Sequence, residues 1–143
     1  LSIVDLSPLG HQPMHSPTGR FTISFNGEIY NFHELRAELV TTGASFRGTS
    51  DTEVMLAAFD RWGVVESLRR FNGMFAFALF DAESGAVTFA RDRAGEKPLY
   101  YGWSDGRLWF GSELKVLRAA KLPGLAVDRD AAALFMRYGY VPT

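Results

Sequence analysis

The most constraining feature of this sequence is the run from Met74 to Phe80, in which every residue is apolar. A strand with one exposed face alternates apolar and polar residues, whereas a strand packed between two layers is apolar on both faces. The run is far shorter than the roughly 18 apolar residues of a membrane-spanning helix, and no such stretch occurs elsewhere. We therefore expect an internal strand that is covered on both sides.

Weaker patterns predict further strands around this one. Alternating apolar residues from Arg20 to Phe25 predict a strand, which we expect to end in a tight turn at Asn26-Gly27 because this dipeptide readily adopts positive φ. The proline-rich segment Ser7–Gly19 indicates a loop. The remaining predicted strands are Leu1–Leu6, Ala86–Ala90, Leu99–Trp103 and Leu108–Phe110.

Helices are predicted where a capping residue precedes apolar residues at helical spacing. Asn31 with Glu34, and Ser50 with Glu53, have the spacing of capping boxes, in which two side chains satisfy each other's backbone N–H groups. The helices predicted in this way end near Gly43 and Gly63, and they are followed by Val64–Arg70, Ser112–Ala120 and a last helix from Asp128 to Arg137.

Hairpins in the middle of the chain, with helices before and after them, predict an α+β fold. Two antiparallel sheets stacked face to face with helices outside would cover the apolar strand, which gives a four-layer α/β/β/α sandwich. We assign residues 1–125 to this domain and residues 126–143 to a last helix and the start of a linker. Because the chain opens within a predicted strand, we expect the sandwich to be incomplete on that side.

Charge and cysteine content argue against several classes of function. The chain has 15 Lys and Arg against 16 Asp and Glu and no long charged run, which disfavours nucleic-acid and membrane-surface binding. It contains no cysteine, so these residues supply no disulfide, cysteine metal site or thiol nucleophile. His11 and His15 lie in a predicted proline-rich loop, so no metal site is expected.

The segment Asn26-Gly27-Glu28 is the first candidate site. An Asn side-chain amide beside a Gly backbone N–H can offer two donors to a developing negative charge, which is what an oxyanion hole requires. A glycine also allows a substrate to approach the backbone closely. The alternative is an ordinary hairpin turn, and the dipeptide by itself favours that alternative.

Two other polar segments are candidates. Asp51, at the start of a predicted helix, can bind the α-amino group of a small substrate, or else Ser50 or Asp51 simply caps the helix. The charged loop Arg91–Pro98 is either a binding edge that contacts a substrate or a partner domain, or a solvated turn held by ion pairs of about 0–1 kcal/mol each. The phenylalanine-rich strands indicate a core rather than a cofactor site.

Seven segments in order carry a resemblance to one known family. The chain resembles, over essentially its whole length, the glutaminase domain of glutamine-hydrolysing asparagine synthetases, a class II (type 2) glutamine amidotransferase with the N-terminal-nucleophile (Ntn) hydrolase fold. The family's fold is the four-layer sandwich expected above. The segments are Leu1–Ser7, Gly10–Met14, Phe25–Asn31, Ser50–Glu53, Phe71–Ala78, Asp92–Tyr101 and Phe110–Lys115.

The resemblance implies a reaction and a role for several residues. In that family an N-terminal cysteine attacks the side-chain amide of glutamine, with its own α-amino group as the base. Carried over by position, the Asn26 side chain and the Gly27 N–H would hold the oxyanion. Glu28, Asp51 and Ile3 would bind glutamine, with Asp51 pairing with its α-ammonium group. The cysteine and an arginine expected before the first strand are not in this sequence, so we expect these residues alone to be inactive.

The resemblance also implies the setting of the domain. Ammonia would pass to a C-terminal synthetase domain that uses ATP and Mg²⁺ to activate aspartate, while this domain would hold no cofactor. The expected partners are L-glutamine, that synthetase domain and a second copy in a homodimer, in the cytoplasm. Glu96–Tyr101 and Arg137–Pro142 favour this branch over class II amidotransferases of aminosugar, nucleotide or polysaccharide pathways. A non-catalytic domain that kept the fold is the other alternative.

Overall fold

The computed structural model describes residues 8–120 and 126–141. The predicted strand Leu1–Leu6, and with it the predicted contact of Ile3 to glutamine, lies outside the described residues. The chain divides into two compact units, Leu1–Leu99 and Tyr100–Thr143. The predicted domain boundary after residue 125 stays a prediction. Of the described helices, none has the length and apolar character needed to cross a bilayer.

The first unit holds a four-stranded antiparallel sheet in the order β1-β2-β3-β4, with three helices and a short 3-10 turn at Pro8–Gly10. The predicted helix Val64–Arg70 is found with those bounds. The strands are β1 Met14–His15, β2 Phe21–Ile29, β3 Gly73–Asp81 and β4 Val87–Arg91, and the helices are α1 Phe32–Thr41, α2 Asp51–Trp62 and α3 Val64–Arg70.

The internal strand is confirmed as β3. It pairs with β2 on one side and β4 on the other, and residues 75–79 are all buried. Phe75, Phe77 and Leu79 point into the helix-side core, while Ala76 and Ala78 are buried on the opposite face. The apolar run therefore indicates a strand that is buried on both faces.

Helix α2 is the centre of the core of this unit. Phe59 places its ring 5.6 Å from that of Phe77, 5.7 Å from Phe71 and 6.1 Å from Phe21, in edge-on and tilted arrangements that aromatic pairs favour. Full burial of each such ring contributes about 1.5–3 kcal/mol to folding. Because every residue from Asp51 to Phe59 except Glu53 is buried, the start of α2 is held by the core.

The second unit contains a hairpin and two helices. Asp105 and Gly106 have φ of 52° and 70°, as a tight hairpin turn requires. The carboxylate of Asp128 accepts the N–H groups of Asp130 and Ala131, which confirms the predicted cap of the last helix. The elements are β5 Tyr100–Ser104, β6 Arg107–Gly111, α4 Leu114–Ala119 and α5 Arg129–Tyr138. Two antiparallel sheets with flanking helices confirm the predicted α+β class.

Two local predictions near β2 are wrong. Asn26-Gly27 does not close the strand, because β2 continues to Ile29 and Gly27 lies opposite Phe75 of β3. The pairing with a long central strand outweighs the turn preference of the dipeptide. The loop predicted for residues 7–19 also contains the 3-10 turn and β1, whose two residues are too few to give a sequence pattern.

Candidate functional site

The outer edge of β2 carries the first part of the candidate site. At the two ends of its pairing with β3, Tyr30 N donates to Asn72 O and Ala82 N donates to Arg20 O. Even-numbered residues of β2 are therefore the ones that hydrogen-bond to β3. In an antiparallel pair the intervening residues direct their N–H groups away from the partner strand. The odd-numbered N–H groups of β2 thus face its other edge.

Three of these outward N–H groups follow one another along the edge. Phe25 N–H donates to Gln12 Oε1 at 2.6 Å, and Ile29 N–H donates to Asp51 Oδ2 at 2.9 Å. Gly27 N–H lies between them and meets no acceptor among the residues that the structure describes. The edge therefore offers one free backbone donor, flanked on both sides by donors that are already paired.

Gly27 cannot be replaced by a larger residue without moving the sheet. Its φ of 151° is one that residues with a side chain rarely adopt, and a Cβ atom there would lie 2.1 Å from Met74 O. The requirement for glycine is therefore real, but its cause is close contact with β3 rather than a turn.

Asn26 and Glu28 point to the face of β2 opposite the helix-side core, since side chains alternate along a strand. Both are half-buried. The Asn26 amide has no hydrogen-bond partner among the described residues, so a second free donor lies next to Gly27 N–H in the chain. This is the pair of donors that the sequence singled out.

Asp51 lies at the start of α2, beside the end of β2. The side chain is 4% exposed, and its second oxygen, Oδ1, accepts Thr52 N–H at 2.8 Å. Burial raises the pKa of the Asp51 carboxyl, and the nearby charge of Glu28 raises it further, against the two backbone N–H groups of Ile29 and Thr52. Within residues 8–120 and 126–141, no Lys or Arg forms an ion pair with Asp51.

The predicted capping box at the start of α2 is half present. Ser50 Oγ accepts Glu53 N–H at 3.2 Å, as expected for an N-cap serine. The Glu53 carboxylate does not return to Ser50 but accepts the N–H groups of Arg47 and Gly48. It thereby fixes the loop that leads into Asp51.

The capping box predicted at Asn31 and Glu34 is wrong. Asn31 is the N-cap residue of α1, but its side chain makes no capping bond. Its amide donates to Arg70 O and its carbonyl oxygen accepts Asn72 N–H, both at 3.0 Å. This contact links the end of β2 to the start of β3, and a tertiary contact of this kind leaves no local pattern in the sequence.

The charged loop after β4 is organised by hydrogen bonds to backbone rather than by ion pairs. Asp92 is 8% exposed and accepts N–H groups from Phe75, Glu96 and Lys97 at 2.9–3.2 Å. Burial acts to raise the pKa of Asp92, but these N–H groups together hold it below its ordinary value. The Arg91 guanidinium donates to carbonyl groups of Gly95 and Lys97. The predicted turn is solvated at Arg91, Arg93 and Glu96, but the predicted local ion pairs are not found among the described residues.

The structure brings some of the candidate residues together. The bond from Ile29 N–H to Asp51 places the predicted carboxylate next to Glu28 and two residues beyond the Gly27 edge donor. Asp92 approaches from the other side of β3, because it binds Phe75, the residue opposite Gly27. Asn26, Gly27, Glu28 and Asp51 thus occupy one end of the first unit.

Gln12 is the residue that the sequence did not single out. It lies in the predicted loop and in the segment Gly10–Met14 that carries the resemblance, but it was given no role. A bond between a side chain and a strand edge 13 residues later leaves no local pattern, so the residues around Gln12 carry no signal for it.

A family model described as glutamine amidotransferase domain matches residues 1–143. The chain belongs to this family. The resemblance stated from the sequence is therefore confirmed for this amidotransferase domain.

Relatives of the domain are named as glutamine-hydrolysing asparagine synthetases. One from Bacillus subtilis is 39% identical over 99% of this chain, and one from Methanocaldococcus jannaschii, named as putative, is 35% identical over 100% of it. A putative one from Mycobacterium tuberculosis is 41% identical over 99% of the chain. The domain spans only 22%, 30% and 23% of the length of these three relatives, respectively.

Solved structures share the fold of the amidotransferase domain. A glutamine phosphoribosylpyrophosphate amidotransferase from B. subtilis, complexed with ADP and GMP, matches with a TM-score of 0.67 and 24% identity. The match covers 78% of this chain and 26% of that protein. It confirms the predicted Ntn-hydrolase fold class and, at this identity, carries no statement about substrate.

Proposed function

We propose that this domain binds L-glutamine and stabilises the transition state for hydrolysis of its side-chain amide. The ammonia that is released would serve a synthetase domain of the same protein. The observation that carries the proposal is the buried Asp51 carboxylate, which has no cationic partner among the described residues and lies beside the free Gly27 N–H. A free amino acid offers the two groups that this arrangement lacks: an ammonium group for Asp51, and a carbonyl oxygen that gains negative charge during the reaction.

Asp51 would recognise the α-ammonium group of glutamine. A buried carboxylate without a cation is unfavourable when ionised, which is why its pKa is raised. An ammonium group of the substrate would restore the missing opposite charge. Glu28, on the adjacent strand end, would add negative charge on the same side and contact the glutamine backbone.

Asn26 and Gly27 would stabilise the oxyanion. In the proposed reaction a thiolate attacks the side-chain carbonyl carbon of glutamine, and the carbonyl oxygen becomes an anion that accepts the Gly27 N–H and the Asn26 amide. The tetrahedral intermediate then expels ammonia, which takes up a proton as it leaves, and a thioester remains. Water hydrolyses the thioester to glutamate and regenerates the thiol. Because these residues contain no cysteine, the thiol would come from outside them.

The relatives support the larger assignment. Their printed names describe asparagine synthetases that hydrolyse glutamine, and this domain covers less than a third of each. We therefore assign the ammonia to the amidation of aspartate, with ATP and Mg²⁺ bound by the synthetase domain. The cytoplasmic location and the homodimer stay predictions.

The test is glutamine hydrolysis by the full-length protein, measured as glutamate formed. Asn26→Ala is expected to lower kcat by about 10²–10³-fold with KM little changed, because it removes one oxyanion donor. Asn72→Ala is the matched control: it lies in a second Asn-Gly dipeptide, Asn72-Gly73, on the neighbouring strand, and its side chain is exposed. An Asn26→Ala enzyme with the kcat of the wild type would refute the oxyanion assignment. A full-length protein that neither binds nor hydrolyses glutamine would point to the non-catalytic alternative.

A further inference from the structure

We infer that Gln12 is a positioning residue of the oxyanion site, because its side-chain oxygen fixes the edge of β2 from which Gly27 N–H is presented. The inference rests on the proposed function, since it concerns the donor that Gly27 supplies there. Gln12 is a residue outside the proposed set of Asn26, Gly27, Glu28 and Asp51.

Along the outer edge of β2, the backbone hydrogen bonds to β1 give way to a side-chain hydrogen bond at Gln12. Met14 lies opposite Ile23, so the next bonded pair along the ladder would join the backbones of Gln12 and Phe25. In the structure the Gln12 side chain takes the place of its backbone, and Oε1 accepts Phe25 N–H at 2.6 Å.

This exchange opens the edge at Gly27. A side chain that reaches across to β2 holds its own backbone farther from the strand than a ladder bond would. The residue that the register would place opposite Gly27 is Gly10, and it lies in the 3-10 turn Pro8–Gly10 instead of in the ladder. Gly27 N–H consequently meets no acceptor between residues 8 and 120 or 126 and 141 and is available to a substrate.

Gln12 and Asp51 fix the two sides of this opening. Each accepts an N–H two residues away from Gly27, which is about 7 Å along a strand. One acceptor comes from the segment before β1 and the other from the start of α2. An oxyanion donor has to be held within about 0.5 Å of its productive position, so both flanking contacts define where Gly27 N–H can point.

Loss of the Gln12 acceptor would affect the oxyanion donors through the backbone of Phe25. Its side chain is 4% exposed and belongs to the core, so its N–H cannot turn to solvent by rotation of the residue alone. If the Gln12 oxygen is removed, the backbone around Phe25 has to shift to find water or another acceptor. The next residues along that backbone are Asn26 and Gly27.

The experiment compares three variants of the full-length protein in glutamine hydrolysis. Gln12→Met has a similar shape without the acceptor, and we expect kcat to fall about 10- to 100-fold while KM changes by less than about twofold. Gln12→Glu keeps an oxygen at the same reach and is expected to retain kcat within about threefold of the wild type. His15→Ala is the control, because it removes an exposed contact of the same segment, from His15 to Thr22, and should change neither constant.

The outcomes separate the inference from the proposed function. Wild-type kcat in Gln12→Met, an equal fall in Gln12→Met and Gln12→Glu, or a change confined to KM would each overturn the role of Gln12. The proposed function fails separately, if Asn26→Ala leaves hydrolysis unchanged. Should Gln12→Met not fold, Gln12→Asn replaces it: its amide is one methylene too short to reach Phe25 N–H, so the same loss of kcat is expected and wild-type kcat would again overturn the role.

Discussion

Two buried aspartates at the same end of the first unit differ in what surrounds them. Asp92 is 8% exposed and accepts three backbone N–H groups, while Asp51 is 4% exposed and accepts two. For Asp92 the N–H groups outweigh burial and its pKa lies below the ordinary value. For Asp51 burial dominates and the pKa is raised.

The difference separates a structural carboxylate from a binding carboxylate. The negative charge of Asp92 is used within the fold, where it joins the loop after β4 to β3. The described residues stabilise the negative charge of Asp51 incompletely, and an ammonium group of a ligand would complete it. Asp51 also joins α2 to β2 through Ile29 N–H, but its uncompensated charge supports the proposed glutamine binding there rather than at the charged loop.

The comparison is tested most strongly by Asp51→Asn in the full-length protein. We expect KM for glutamine to rise about a hundred-fold, since loss of a buried charge partner costs about 2–5 kcal/mol of binding free energy. Steady-state hydrolysis at varied glutamine concentration measures this. Asp128→Asn is the control, because Asp128 also accepts two backbone N–H groups at a helix start but is exposed. A similar rise in both variants would contradict the assignment.

Asp92→Asn is expected to give the opposite result. The amide has only one oxygen, so at least one buried N–H loses its acceptor, at a cost of about 1–3 kcal/mol in stability. Hydrogen exchange of the Glu96 and Lys97 amides should accelerate while KM for glutamine stays unchanged. Glu96→Gln, in the same loop, removes a charge without removing an acceptor of these bonds and should alter neither. A large rise of the KM for glutamine in Asp92→Asn would contradict the assignment of Asp92 as structural and Asp51 as ligand-binding.

A smaller effect is expected for Ser50→Ala. Loss of an N-cap hydroxyl costs about 1 kcal/mol of stability and loosens the first turn of α2, where Asp51 lies. Exchange of the Glu53 amide should increase, and KM for glutamine should rise a few-fold, on the order of the same free energy. An unchanged KM with faster exchange would show that Asp51 is held in place by Ile29 alone.

The smallest expected effect is in the pH dependence of stability, and its sign differs between the two sites. A raised pKa means that Asp51 stabilises the fold most below the ordinary carboxyl range and that this is lost as pH rises through the raised pKa. A lowered pKa means that Asp92 stabilises the fold above the ordinary carboxyl range and that this is lost as pH falls through the lowered pKa.

Urea unfolding of this chain between about pH 3 and pH 7 measures both signs. As pH rises, Asp51→Asn should gain stability relative to the wild type, whereas Asp92→Asn should lose it. Parallel pH profiles for the two variants would show that the two carboxylates do not differ in environment.

The parts of the fold that the sequence predicted are those with a dense local pattern. The run through Phe77 identified β3, and the spacing from Ser50 to Glu53 identified the start of α2. In both cases the residues that determine the element are neighbours in the chain. Asp51 was therefore placed correctly at a helix start, although capping explained it equally well.

The failures have a shared physical cause. Asn26-Gly27 was taken for a turn because its local preference is strong, but pairing with β3 decides its conformation. Asn31 bonds to residues about forty positions later, at Arg70 and Asn72. Asp92 likewise bonds to Phe75 N–H on β3, 17 residues earlier in the chain. No window of sequence shows which side chain has a partner and which is left without one.

Helix α2 joins the interior of the first unit to the end that carries the candidate site. Its first residue carries the carboxylate proposed to bind glutamine, and seven of the eight residues that follow, through Phe59, are buried. A mutation that enlarges or shrinks any of the buried side chains would shift or tilt helix α2 and move the Asp51 carboxylate with it. Efforts to change which amino acid is bound should therefore begin on strand β2, where Glu28 can be varied without disturbing the packing of helix α2.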